Sequence, residues 1–204
     1  KDIILPEYEI RKSKEQKTRF IDMLKAGYGD RLHVEETKGL TKSRNIVIGN
    51  PERAKVVFTA HYDTCSVMPF PNFITPMNIP VYILYQLLIT VLIYIPVVLI
   101  VGISMYLTGE LSEGLQILIN EAVFFACLFG VMKLFLDGPA NRHTANDNTS
   151  GVVAVLTLAD RMSSDEFAFI LFDNEERGLR GSSAYAASHK SVRNNTTIVN
   201  LDCI

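Results

Sequence analysis

From Thr64 to Gly109 the chain carries no charged side chain, and within that run IPVYILYQLLITVLIYIPVVLIVGISMYL (79–107) is almost wholly apolar. At about 1.5 Å per residue, a helix of this length exceeds the roughly 30 Å of a bilayer core. A second stretch, LQILINEAVFFACLFGVMKLFL (115–136), has the same character but is interrupted by Asn120, Glu121 and Lys133. The short TGELSEG link between them predicts a helical hairpin that crosses a membrane and returns. The alternative is a pair of buried core helices, and length favours the membrane. Pro96 is expected to kink the first helix, which membrane helices tolerate. The link carries two acids and no base, whereas Lys133, Arg142 and a basic front end flank the other side. By the positive-inside rule, the rest of the chain is then expected to face the cytoplasm.

The remainder of the 204 residues suffices for one sizeable domain. A net charge of −2 argues against a nucleic-acid partner. Most Lys and Arg lie in residues 1–55, where a solvated helix face accounts for them better than an anionic partner does. Cys65, Cys127 and Cys203 have neither zinc-finger spacing nor the look of a disulfide framework, which fits a reducing compartment. No signal-peptide pattern stands at Lys1. The sequence stops at Ile204 directly after a strand-like run, and we expect the domain to continue beyond it. Oligomeric state is not legible.

Periodicity predicts an amphipathic helix over 8–27, with Ile10, Phe20, Ile21 and Leu24 inward and its Lys and Arg outward. RLHVEET, RNIVIGN and KVVFTAHYD read as strands, and GNPERA as the turn joining the last two in an antiparallel hairpin. After the apolar segments, DGPANRHTANDN reads as a loop, TSGVVAVLTLADRM as a helix and EFAFILF as a strand. GSSAYAASHK then reads as a helix and TTIVNLD as a strand. This alternation predicts an α/β fold, a mixed and mainly parallel sheet flanked by helices. The α/β domain would comprise 1–78 and 138–204, with the transmembrane helical hairpin inserted at 79–137.

The polar residues at the carboxyl ends of these strands are unusual as a set. VVFTA ends in His61 and Asp63, and FAFILF in Asp173, Glu175 and Glu176. TIVNL ends in Asp202, and HTANDNTSG places Asp147 just before a helix. Each has a structural alternative; Asp147 and Asn148, for example, could simply cap that helix. Together they deliver acids and an imidazole to one sheet edge, where α/β sites form. A divalent metal explains the set, because its charge offsets carboxylate repulsion. One imidazole and several carboxylates suit catalytic zinc, or manganese or cobalt in its place. Of two adjacent glutamates, one can bind metal while the other shuttles protons. Asp63, on the same side of the strand as His61, can orient its ring.

In that order, AHYDT, NDNTSGVVAVLTLA, FDNEERGLRGSSAYA and VNLD resemble the two-zinc aminopeptidases of metallopeptidase family twenty-eight, over roughly residues 43–65 and 138–204. The resemblance implies an exopeptidase fold holding two zinc ions and acting on peptides with a free N-terminus. Asp147 would bridge the metals, His61 and Asp202 would bind one and Glu176 the other. Glu175 would be the general base for a metal-bridging water, and Asp63 would orient His61. The family supplies one more histidine ligand from a later segment, which we expect beyond Ile204; these 204 residues alone are therefore expected to be inactive. Eighty-three residues separate Asp63 from Asp147, filled mostly by the apolar hairpin. Two rival functions remain: a non-catalytic scaffold of the same fold, and a glutaminyl-cyclase-like zinc acyltransferase.

Overall fold

The computed structural model describes residues 3–37, 42–68, 70 and 78–204. It divides into two compact units, one of residues 1–66 with 139–204 and the other of residues 67–138. Part of the stretch leading into the first apolar helix lies outside the described residues, including most of 69–77.

The first unit is built on a five-stranded sheet. In chain order its strands are β1 (Leu32–Glu36), β2 (Arg44–Ile48), β3 (Val56–His61), β4 (Phe167–Phe172) and β5 (Thr197–Asn200). They lie side by side as β1-β2-β4-β3-β5. β3 runs parallel to both β4 and β5, and β2 runs antiparallel to β1 and β4. The sheet is thus mixed, as expected, but the hairpin expected of β2 and β3 does not form. Their directions do reverse; β4 lies between them, and the 50–55 turn straddles its start. There the N–H groups of Lys55 and Val56 both donate to the Glu166 carbonyl, at 2.8 and 3.1 Å. FAFILF is apolar on both faces, so it is buried in the sheet interior between covering layers, and an interior strand pairs along both edges.

Alternation along β4 separates two cores. Phe169 and Leu171 join Phe20, Ile21, Leu24, Val152, Val155 and Leu156 on one face. Ala168 and Ile170 join Val47, Val57, Tyr185 and Val192 on the other. The first face is covered by α2 (Lys14–Tyr28) and α5 (Ser150–Arg161), the second by α6 (Arg180–Ser188) and α7 (Lys190–Asn195). The single helix expected over 8–27 is instead a short α1 (Ile4–Tyr8) followed by α2. Ser13 starts α2 with a capping box: its hydroxyl accepts from Gln16 N at 3.2 Å, and Gln16 Oε1 accepts from Ser13 N at 2.8 Å. Phe20, Ile21 and Leu24 are buried as expected, and Ile10 only partly. Contrary to expectation, so are two basic residues, Arg11 and Lys17.

The second unit consists mainly of α3 (Ile79–Leu107) and α4 (Glu113–Asp137). Both are long and apolar enough to cross a membrane, and only 6% and 0% of their apolar windows are buried. Pro96 lies inside α3. Asn120, which interrupts the second apolar stretch, accepts a 2.6 Å bond from Ser104 Oγ of α3.

Candidate metal centre

Because β3, β4 and β5 are parallel, their carboxyl ends open onto one edge, and each leaves the sheet with a chemically active group. His61 is the last residue of β3, Glu175 and Glu176 follow β4, and Asp202 follows β5. Asp147 comes from the kinked turn before α5; its peptide bond to Asn148 is cis. The His61 Nε2 atom lies 3.1 Å from Asp147 Oδ1 and 3.7 Å from Asp202 Oδ1. Donor atoms of His61, Asp147 and Asp202 all fall within 4.8 Å of one another, as do those of His61, Glu175 and Glu176. A third group on the same scale adds a residue the sequence did not single out, Cys65, beside Asp147 and Glu176.

Asp63 holds this cluster in a more specific way than the His–x–Asp spacing suggested. His61 Nδ1 lies 3.1 Å from the Asp63 carbonyl oxygen but 3.7 Å from its carboxylate. That buried carboxylate accepts the backbone N–H groups of Glu175 and Glu176, at 3.0 and 3.2 Å. Asp63 thus ties the end of β3 to the two glutamates. Asn148 ties the next pair of segments: its amide donates to Leu201 O at 3.0 Å, and its Oδ1 accepts from Gly151 N and Cys203 N, both at 3.2 Å. Asn148, one residue before the Thr149 N-cap, thus satisfies one of the first amides of α5, while Asp147 joins the cluster.

Asp173, the first acid after β4, does not join these groups. It is buried and accepts from Lys17 Nζ at 2.5 Å, Arg44 N at 2.9 Å and its neighbour Asn174 N at 2.9 Å. Asn174 turns the chain at φ 55°, a left-handed conformation that asparagine tolerates. Arg11, fully buried, spans two site loops. Its guanidinium donates to Tyr62 O at 2.6 Å and to Thr149 Oγ1 at 2.9 Å, and its N–H to Thr64 Oγ1 at 3.1 Å. Neither Arg11 nor Lys17 was singled out from sequence, since basic residues near an amphipathic helix read as a solvated face. Beside the cluster, a cavity of about 290 Å³ is lined by His61, Glu175 and Asp202 together with Ile170, Phe172 and Leu179.

The site's electrostatics are those of crowded acids. Burial, then Asp147 and Asp63, push Glu176 up to about 7. Glu175 is also raised, by burial and then by the surrounding carboxylates against the pull of His61. Burial alone would lower His61; Asp147, Asp63 and Glu175 outweigh it and hold the imidazolium up to about 11. Burial works against Asp63 too, yet His61, Lys17 and the Glu175 amide keep it below the ordinary carboxylate value. Glu176 Oε1 is shielded from solvent without a hydrogen-bond partner among the described residues. An orphaned, buried carboxylate oxygen beside other oxygen and nitrogen donors suits a divalent cation, zinc above all.

The model of peptidase family M28 matches residues 131–204, the stretch that contributes Asp147, Glu175, Glu176 and Asp202. The match covers about a third of the chain and leaves out β3 with His61 and Asp63. No curated protein matches. Two crystal structures of the LapA aminopeptidase of Legionella pneumophila are similar. One is 14% identical with a TM-score of 0.43, covering 98% of this chain and 41% of its own. The other is 15% identical with a TM-score of 0.43, covering 96% of this chain and 38% of its own. The present chain thus spans about two fifths of the LapA chains.

Proposed function

We propose that the chain carries the catalytic centre of a zinc-dependent exopeptidase of the aminopeptidase type, tethered to a membrane by α3 and α4. The observation that carries this reading is Asp147: its carboxylate belongs both to the His61–Asp202 group and to the Glu176 group. A carboxylate shared by two adjacent donor sets is what a two-ion site requires. His61 and Asp202 would hold one zinc ion, Glu176 the other, and Asp147 both. Such ions supply Lewis-acid polarisation and a nucleophilic water at neutral pH.

The remaining work falls to the chain's own groups. Glu175 neighbours Glu176 but is in neither of the two donor groups that contain Asp147, and we assign it the proton transfer from attacking water to the leaving amine. Asp63 keeps the Glu175 and Glu176 amides in register with His61. The substrate would be a peptide with a free N-terminus. By loop charge, the peptidase part would face the cytoplasm.

The test is metal analysis of the purified full-length protein, together with product analysis on unblocked peptides. Bound zinc and release of N-terminal residues are expected. A folded protein that takes up no zinc would point to the scaffold alternative, and cyclisation of N-terminal Gln without hydrolysis to the acyltransferase. Either result overturns the peptidase reading.

A further inference from the structure

We infer that Cys65 is a metal ligand, its thiolate forming with Asp147 and Glu176 a three-donor site for one divalent transition-metal ion. The inference rests on the proposed function only in that Asp147 and Glu176 must bind metal at all. Two independent observations carry it. First, the sulfur and one oxygen from each carboxylate lie within 4.8 Å of one another. With metal–sulfur distances of about 2.3 Å and metal–oxygen distances of about 2.0–2.2 Å, donors around one ion stand roughly 3–4 Å apart. Only a small contraction separates the structure from that geometry. Second, the buried Glu176 Oε1 has no hydrogen-bond partner among the described residues. A buried acceptor left without a donor is costly, and a cation would satisfy it.

The fold also explains why Cys65 stands there. It lies just after the His61–Asp63 segment, where the chain departs toward the apolar insertion. The two ends of that insertion are pinned together: Ser66 bridges Ala140, and Asn141 N donates to Cys65 O at 3.1 Å. The Asn141 side chain donates to Cys65 Sγ at 3.4 Å, which fixes the position of the sulfur. The neck of the insertion thereby holds the sulfur beside the acids. A thiolate among carboxylates shifts preference toward softer ions, so zinc, cobalt and cadmium should be retained over manganese.

Cobalt titration of the chelator-treated full-length protein tests this. A thiolate-to-cobalt charge-transfer band in the near ultraviolet is expected to accompany one of the bound ions. Cys65→Ser should abolish that band and weaken binding of that ion by roughly tenfold or more, since even groups behind the ligands contribute at least that much. Cys127→Ser and Cys203→Ser should leave the band unchanged. The Cys203 control matters because its sulfur lies 3.4 Å from Asp202 Oδ1. A measurement without substitution guards against misfolding: X-ray absorption of the zinc-loaded protein should show a sulfur neighbour at about 2.3 Å. Cobalt bound with no charge-transfer band, or a band lost only in Cys203→Ser, would overturn the role of Cys65 while leaving the peptidase reading in place. Failure to bind any cobalt would overturn both.

Discussion

Glu175 and Glu176 are neighbours in sequence with different surroundings, and this difference carries the division of roles between them. Glu176 reaches the Cys65–Asp147 group and keeps one oxygen buried without a donor among the described residues. Glu175 lines the adjoining cavity, where a reacting group has room. A glutamine at 175 keeps the shape and removes the basicity. We therefore expect Glu175→Gln in the full-length protein to bind zinc normally but lose hydrolysis by roughly 10²- to 10⁴-fold, the usual contribution of a general base. Metal content and turnover measured on one sample check this; unchanged turnover would refute the assignment. At this scale the sequence brought forward His61, Asp147, Glu175, Glu176 and Asp202 only as a set, because a strand-end acid taken singly has structural uses, as Asp173 beside Lys17 shows. Cys65 was legible only as an unpaired thiol, since its position beside two carboxylates depends on the closed neck at Ser66 and Ala140.

Among the elements, α2 does more than cover the sheet. Lys17 on its buried face reaches Asp173 at the tip of β4, with side chains only 8% and 3% exposed. The amide of Asp173 is bonded to Asn45 Oδ1 at 3.1 Å, so this tip is fixed from β2 as well. The chain runs from there directly into Asn174, Glu175 and Glu176. Removing the ammonium would strand a buried carboxylate. We expect Lys17→Met to destabilise the first unit by about 3 kcal/mol, the lower end for a broken buried pair because backbone donors to Asp173 remain. Adding Asp173→Asn should recover much of the loss. Denaturant unfolding followed by circular dichroism measures both, and additive losses in the double variant would contradict the pairing. Helix and strand identities were largely legible from periodicity. Pairing was not: nothing in GNPERA reveals that β4, more than a hundred residues later, will enter between β2 and β3.

For the molecule as a whole, the balance of protons and metal sets how stability responds to pH. Glu176 is raised from 4.5 to about 7, Glu175 is raised, and His61 is raised from 6.5 to about 11. A group whose folded value is raised contributes stability that is fully present below its unfolded value and is lost as pH rises through the folded one. Asp63, held low, acts oppositely, and its contribution is lost only in acid, below its ordinary 3.8. The chelator-treated protein should therefore melt at lower temperature at pH 8 than at pH 5, with most of the carboxyl-driven change between about 4.5 and 7. Zinc should reverse the trend, because ligands must be deprotonated to bind it. Melting curves across this range, with and without metal, check the prediction; the same slope in both would contradict it. The fold class and the apolar hairpin follow from periodicity and length, which are local properties read one segment at a time. By itself, then, the sequence determined two long apolar helices, an α/β alternation and a set of strand-end acids with one imidazole. Only the tertiary structure decided that Asp147 is shared between two donor groups, that Cys65 joins one of them, and that Arg11 and Lys17 are buried. Those outcomes depend on groups far apart along the chain meeting, and the buried charges of Arg11 and Lys17 are tolerable only beside the partners that folding supplies.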